Sequence, residues 1–388
     1  MKMLKKIAPV CLAAVMGAMT VMPAWAYSDV TRSDEEWAKL QDNVLEYDEL
    51  AGLIHEYNVT VLNNRADYFK VKNRTQQEIS DNYRTQAQNL YDMIQYPTSG
   101  DDETTYAMAY ASAAQLEAQA KSLEQMADDN IDDGEIRKIQ YDQAEATLVS
   151  AAQTSMNSHQ QLLLNRGTLE ANLALVRATY NSVVVKAGEG MATQADVLSA
   201  QEQVKSLEAK LISLDASINK TRQSLCLMTG WAYDAKPEIM PIPSADVTRI
   251  AAMNPAADLE KAIKNNYTLR ADKKKLANTE SASSKETLER TIKNEEQNAG
   301  AALNNQYQAV LQAQLSYNQA VTNFELETKN MQKAQQQYSQ GMISALDYTK
   351  AQAAYVEKEA NRYISELALV QAMDTYDWAV AGLLNLGM

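Results

Sequence analysis

Apolar residues return every seven positions along three stretches of the chain. Leu162, Leu169, Val176 and Val183 form the first series, with Leu173 and Tyr180 four residues after Leu169 and Val176. In the second, Leu207 and Leu214 alternate with Leu211, Ile218 and Leu225 until the run stops at Gly230. The third places Val310, Tyr317, Phe324, Met331 and Tyr338 at one position and Tyr307, Val321 and Thr328 at the other. A seven-residue apolar period predicts long helices that wind against a partner. The first two series are divided only by a short break, so they are expected to lie antiparallel.

That break is written twice. GMATQADVLSAQ from Gly190 to Gln201 matches GMISALDYTKAQ from Gly341 to Gln352 at a constant spacing of 151. Glycine is the residue best suited to the left-handed conformation that ends a helix. Three residues later Thr193 or Ser344 can cap the next helix, and three beyond that Asp196 or Asp347 completes the spacing of a capping box. Each phrase therefore reads as a tight reversal between helices. At the same spacing Phe324 falls on Leu173 and Met331 on Tyr180, so the repeat includes the helices. A weaker echo, LIHEYNVTV (53–61) against AIKNNYTLR (262–270), lies earlier in each half.

The chain divides accordingly. Residues 1–26 read as a signal peptide: Lys2, Lys5 and Lys6 precede an apolar run, and Ala24-Trp25-Ala26 offers a cleavage site. Residues 27–230 form the first helical repeat, 231–257 a linker holding Pro237, Pro241, Pro243 and Pro255, and 258–388 the second repeat. The first half is the longer, by an insertion near 76–134. Within it DDNIDDGE (128–135) has the acidity of a calcium loop but not its spacing, since with Gly134 at the sixth position Ile131 falls at the third and Gln140 at the twelfth. A solvated turn is expected there.

Composition narrows the function. The net charge of −14 becomes about −17 once the three leader lysines are removed, which argues against nucleic acid or anionic lipid as partner. No stretch after Tyr27 reaches the length of a membrane helix. Beyond the leader only Cys226 remains, so no internal disulfide can form, and SLCLMTG places it on an apolar face. His55 and His159 are the only histidines and lack an acid or nucleophile at any recognisable spacing. With no phosphate loop, zinc-protease or nucleophile-elbow motif, the residues call for no enzyme, cofactor or metal.

Two halves, each with an Asn near its start, a long helix, a G-x-x-[ST]-x-x-D tip and a helix ending near a glycine, joined by a proline-rich linker after LMTGW, resemble the TolC-like outer-membrane efflux proteins. The resemblance covers essentially the whole chain beyond the leader. It implies an all-α protomer of long antiparallel coiled-coil hairpins, three copies of which form a tubular conduit. It also implies a periplasmic adaptor (membrane fusion) protein docked at the tips and an inner-membrane transporter that supplies the energy. Gly190, Met191, Thr193, Gly341, Met342 and Ser344 would then be the tip turns and adaptor docking positions. Asp196, Tyr338 and Asp347 would lie at the aperture, Tyr338 helping to hold it closed by donating to a carboxylate such as Asp196. The same two acids read equally well as capping-box partners alone. Ile343 stands where the family can carry a basic residue.

The resemblance departs at the membrane. Family members cross the outer membrane with a β-barrel whose strands every protomer gives between the first and second long helices of each half. Here KKLANTESASSKETLERTIKNEEQNAGAAL (274–303) and QYPTSGDDETTYAMAYASAA (95–114) show no paired alternating runs, so no barrel strand is expected. The reading is an exported, all-α, trimeric conduit of the cell envelope, resident in outer membrane or periplasm. A non-conducting envelope tether built on the same scaffold is the alternative.

Overall fold

A computed structural model describes residues 32–97, 103–279 and 281–387. The leader predicted for residues 1–26 lies outside them. The first half runs α1 (Asp34–Leu40), β1 (Val44–Leu45), α2 (Leu50–Tyr57), α3 (Val59–Val71), α4 (Gln76–Met93), α5 (Glu103–Asp128), α6 (Gly134–Gly188) and α7 (Gln194–Met228). The linker contributes β2 (Glu238–Ile239), paired in parallel with β1, and a 3-10 turn at Val247–Ala252. The second half runs α8 (Pro255–Asn265), α9 (Tyr267–Asn278), α10 (Ala282–Ser339) and α11 (Ala345–Trp378). Four elements of one half thus answer four of the other: α2 to α8, α3 to α9, α6 to α10 and α7 to α11.

The helices leading to the tips have 55 and 58 residues, roughly 80 to 90 Å at 1.5 Å per residue. The returning helices have 35 and 34. Asp133 and Ser281 cap α6 and α10 well before their seams begin, so both helices extend beyond the apolar repeats. The seams pack as their spacing predicts. Leu173 and Val310 are buried, Leu207, Leu211, Leu214 and Ile218 are half-buried, and the Phe324 ring lies 5.3 Å from that of Tyr355 on α11.

The four long helices follow the spatial order α7, α6, α11, α10. The central pair is tied by side chains as well as packing. Asn157 Nδ2 donates to Leu367 O at 2.7 Å, and Trp378 Nε1 donates to Gln153 Oε1 at 2.6 Å. Tyr47 adds a bond from the β1 region to Asp374. α7 and α10 each have one long neighbour and one open flank.

Opposite the tips, each half is closed by a buried asparagine. Asn58 ends α2 and caps α3, accepting from Thr60 N and Val61 N while its amide donates to Met228 O at the end of α7 (2.8 Å). Asn266 stands between α8 and α9 in the same way, accepting from Leu269 N and donating to Leu384 O (2.9 Å). A glycine lets the returning chain come this close. A Cβ on Gly230 would lie 2.5 Å from Tyr57 O, and one on Gly382 would lie 2.6 Å from Asn265 O; both residues have positive φ, 80° and 131°.

The two closures are not identical. Gly382 follows Gly230 by 152 residues, one more than separates the tip glycines. The extra residue is taken up in a π-helical turn at Ala379–Leu383, the usual form of a one-residue insertion in a helix. As a result the second half uses two asparagines, Asn265 Nδ2 donating to Val380 O at 3.1 Å beside the bond from Asn266.

The insertion near 76–134 is a helical hairpin. Thr75 and Glu78 form a capping box at the start of α4, and α4 and α5 pack chiefly on each other through Ile79, Ala87, Ala113, Ala120 and Ala127. Its base is bonded to the start of α6: Gly134 N donates to Arg74 O, and Gln76 and Asn130 exchange side-chain to carbonyl bonds. The acidic run 128–135 serves this junction, with Asp133 capping Ile136 N and accepting from Asn278 Nδ2 at 2.9 Å. In the second half α9 passes to α10 through a connection of only a few residues.

Gly230→Ala and Gly382→Ala are each expected to cost about 2 to 4 kcal/mol in urea unfolding, because backbone rather than a pliable side chain blocks the new methyl. Gly167→Ala, mid-helix with nothing within 4 Å of the added atom, is expected to gain about 0.5 to 1 kcal/mol.

Candidate functional site

The two tips are built alike and almost entirely from local interactions. Gly190 and Gly341 have φ of 74° and 70°. Gly190 N donates to Ala187 O and Met191 N to Lys186 O; at the second tip Gly341 N donates to Tyr338 O and Met342 N to Gln337 O. These paired bonds are the Schellman arrangement that satisfies the last carbonyls of a helix. Both capping boxes are formed. Asp196 Oδ2 accepts from Thr193 N (2.8 Å) and Oγ1 (2.7 Å), and Asp347 Oδ2 accepts from Ser344 Oγ (2.7 Å) and N (3.4 Å). The hydroxyl bonds first, then the amides, hold both carboxyls below the ordinary aspartate value. The space around both glycines is open, and Met191 and Met342 are exposed.

Tyr338 lies three residues before the second tip glycine, with its ring stacked on that of Tyr348 at 4.6 Å and 6°. Within one protomer, among the described residues, no hydrogen bond joins it to Asp196, whose carboxylate is engaged by Thr193. The stacking partner Tyr348 was not singled out from the sequence, although its place one residue after Asp347 puts it on the first turn of α11. The structure therefore gives both acids a capping role and leaves the exposed Tyr338 ring at the mouth of the hairpin.

The other sequence candidates are structural. His55 Nδ1 lies 2.7 Å from Glu145 Oε1. His159 is buried, and burial followed by the Arg222 charge lowers its pKa. Cys226 is in the core, where burial pushes its thiol up. Among the described residues no group of three or more His, Cys, Asp or Glu is placed to hold a metal, and no helix is long and apolar enough to cross a membrane.

The open flanks carry a feature that the apolar period hides. On α7, Ile212 is 72% exposed; on α10, Leu315 is 65% and Leu326 60% exposed. These residues sit off the seams, which is the signal that could have found them. Ile212 lies between Leu315 and Leu326 in distance along its helix from the tip.

No protein-family model and no curated protein matches the chain. Solved structures do. A membrane protein from Pseudomonas aeruginosa superposes with a TM-score of 0.55 at 11% identity, over 89% of this chain and 92% of the other. The two share a fold. The outer-membrane channel OprN is similar at a TM-score of 0.49 and 13% identity over 97% and 98% of the two chains. The Campylobacter jejuni CmeC outer membrane channel gives 0.49 and 10% over 93% and 91%. At 11% identity the likeness to the Pseudomonas aeruginosa protein is one of fold.

If the capping boxes alone hold the tips, their strength follows the two carboxylates. A lowered pKa makes the contribution full above the unfolded-state value and lost as pH falls through the folded one. Hydrogen-exchange protection at the Asp196 and Asp347 amides is expected to hold down to the ordinary aspartate range and to fall below it. Asp196→Asn is expected to make protection at the first tip insensitive to pH over that window.

Proposed function

We propose that the chain is one protomer of a homotrimeric, TolC-like helical conduit in the cell envelope. It would act passively, with a periplasmic adaptor at the tips and an inner-membrane pump supplying the energy. The observation that carries this reading is the order α7, α6, α11, α10 with an apolar open flank at each end. Inside the protomer, α6 of the first half packs on α11 of the second. Applied once more through the internal repeat, the same pairing sets α10 of one copy against α7 of the next. Such a head-to-tail contact closes into a ring if the rotation is right. It would cover Ile212, Leu315 and Leu326, whose exposure a lone chain leaves unexplained.

The tips suit docking because they are self-capped and their glycines and methionines stand open, so a partner can approach Met191 and Met342 without disturbing the body. Export to the envelope follows the leader read from the sequence. The alternative reading, a tether that conducts nothing, draws on the helical hairpin α4–α5, which occupies the place where the family puts barrel strands.

Electron microscopy of the chain from Tyr27 onward, with its mass in solution, separates the two. The conduit predicts a hollow three-fold ring, and Ile212→Cys combined with Leu315→Cys should give an oxidised ladder ending at three chains, with neither single variant doing so. Monomers or solid rods would remove the conduit. For the aperture, Tyr338→Phe in a reconstituted assembly is expected to raise leak conductance severalfold if the hydroxyl bonds a neighbouring carboxylate; an unchanged leak would leave Tyr338 only its stacking on Tyr348.

A further inference from the structure

Near the starts of α6 and α10, far along the helices from the tips, lies an open-sided cavity of about 440 Å³. Gln143 and Ser150 of α6, Thr268 of α9, Glu295 of α10 and the segment following the π-turn, including Leu384 and Leu386, form its wall. Glu295 is 2% exposed, and neither of its carboxylate oxygens has a hydrogen-bond partner. The charges that act on it are Asp272 and Lys275 of α9, but Lys275 Nζ is engaged by Asp272 Oδ1 at 3.0 Å. Burial first, then Asp272, pushes the Glu295 carboxyl up. A buried carboxylate left without donors opposes folding, and a cation that supplied them would remove that penalty.

The geometry points to a binding site for an alkylammonium group, with its N–H donors on the Glu295 oxygens once that side chain turns from its buried position toward the cavity, and its hydrocarbon chain along Leu384 and Leu386. The wall discriminates among cations. A calcium ion takes six to eight oxygens and commonly several carboxylates, whereas Glu295 is the one carboxylate lining this cavity among the described residues. The volume is also far greater than a bare ion needs and falls in the range of small-molecule pockets. An ammonium has three donors and no acceptor, so it can satisfy the carboxylate while also donating to the Gln143 carbonyl or the Thr268 hydroxyl. The apolar part of the wall accounts for the alkyl chain. The group can come from a free amine or from a lysine of a second copy, and the site stands whether or not the chains form a ring.

The test is thermal unfolding with n-butylammonium chloride, with butan-1-ol as the uncharged match in size and sodium chloride as the ionic control. At a concentration a hundred times its Kd, n-butylammonium is expected to raise the Tm of the wild type by about 3 to 4 °C. Butan-1-ol and sodium chloride are expected to produce no such rise. Glu295→Gln, which removes the buried charge and keeps the shape, is expected to melt above the wild type without ligand and to lose the response. Glu295→Asp, which keeps the charge on a shorter arm, is expected to retain a smaller response. Sedimentation of the same samples identifies the source: a fall in assembly mass with n-butylammonium assigns the site to a lysine of a second copy, and unchanged mass assigns it to a free amine. No rise in the wild type, an equal rise with butan-1-ol, or an equal response in Glu295→Gln would overturn the proposal.

Discussion

A side-chain amide buried against a main-chain carbonyl holds each half of this protein together. Asn58 and Asn266 each cap one helix and bond the end of another that returns from a tip some 50 Å or more away at 1.5 Å per residue. The bond is possible only because Gly230 and Gly382 let backbone approach backbone. It adds to the coiled-coil seams and to side-chain bonds such as Arg166 to Asp215 and Tyr376 to Asp258, which tie α7 and α11 to their halves along their lengths. With it, the register of each hairpin is fixed at the end opposite the tip.

The tips are free to be simple for that reason. They need no tertiary support, since the seam delivers the chain at a set height and a glycine with a capping box reverses it. The polar ties between α6 and α11 lie toward the fixed end, through Asn157 and Trp378, and Tyr47 adds one to α11 from the β1 region. Order is thus imposed from one end of the molecule, while the other end presents short, self-sufficient turns on a long lever.

The seams and tips were legible in the sequence because each depends on residues within a few positions of one another. Leu207 to Leu225 and Thr193 with Asp196 do what their spacing says. The asparagine closures were visible only as a faint echo, since the partner carbonyls of Met228 and Leu384 belong to any residue type and leave no mark in the sequence. The pairing of α4 with α5 was hidden for a different reason: the buried face of α5 is mostly alanine, at 113, 120 and 127, which contrasts weakly with its polar neighbours. The order of the four long helices could not be read at all, because a seam records that a helix has a partner and not which one. Glu295 stands in a mixed run of acids and bases that marks none of them for burial, and only the fold puts it inside.

The hairpin that interrupts the first half has no counterpart in the second, where α9 meets α10 almost directly. Every chain therefore offers two tips at one end and a single projection at the other. Any assembly of these chains, whatever their number, is divided more finely at the tip end than at the far end. A partner that grips every tip sees a nearly uniform crown of repeated turns. One that grips the projections must count chains, and so distinguishes the first half from the second far more plainly than the tips allow, whose hydroxyl capping bonds are both 2.7 Å.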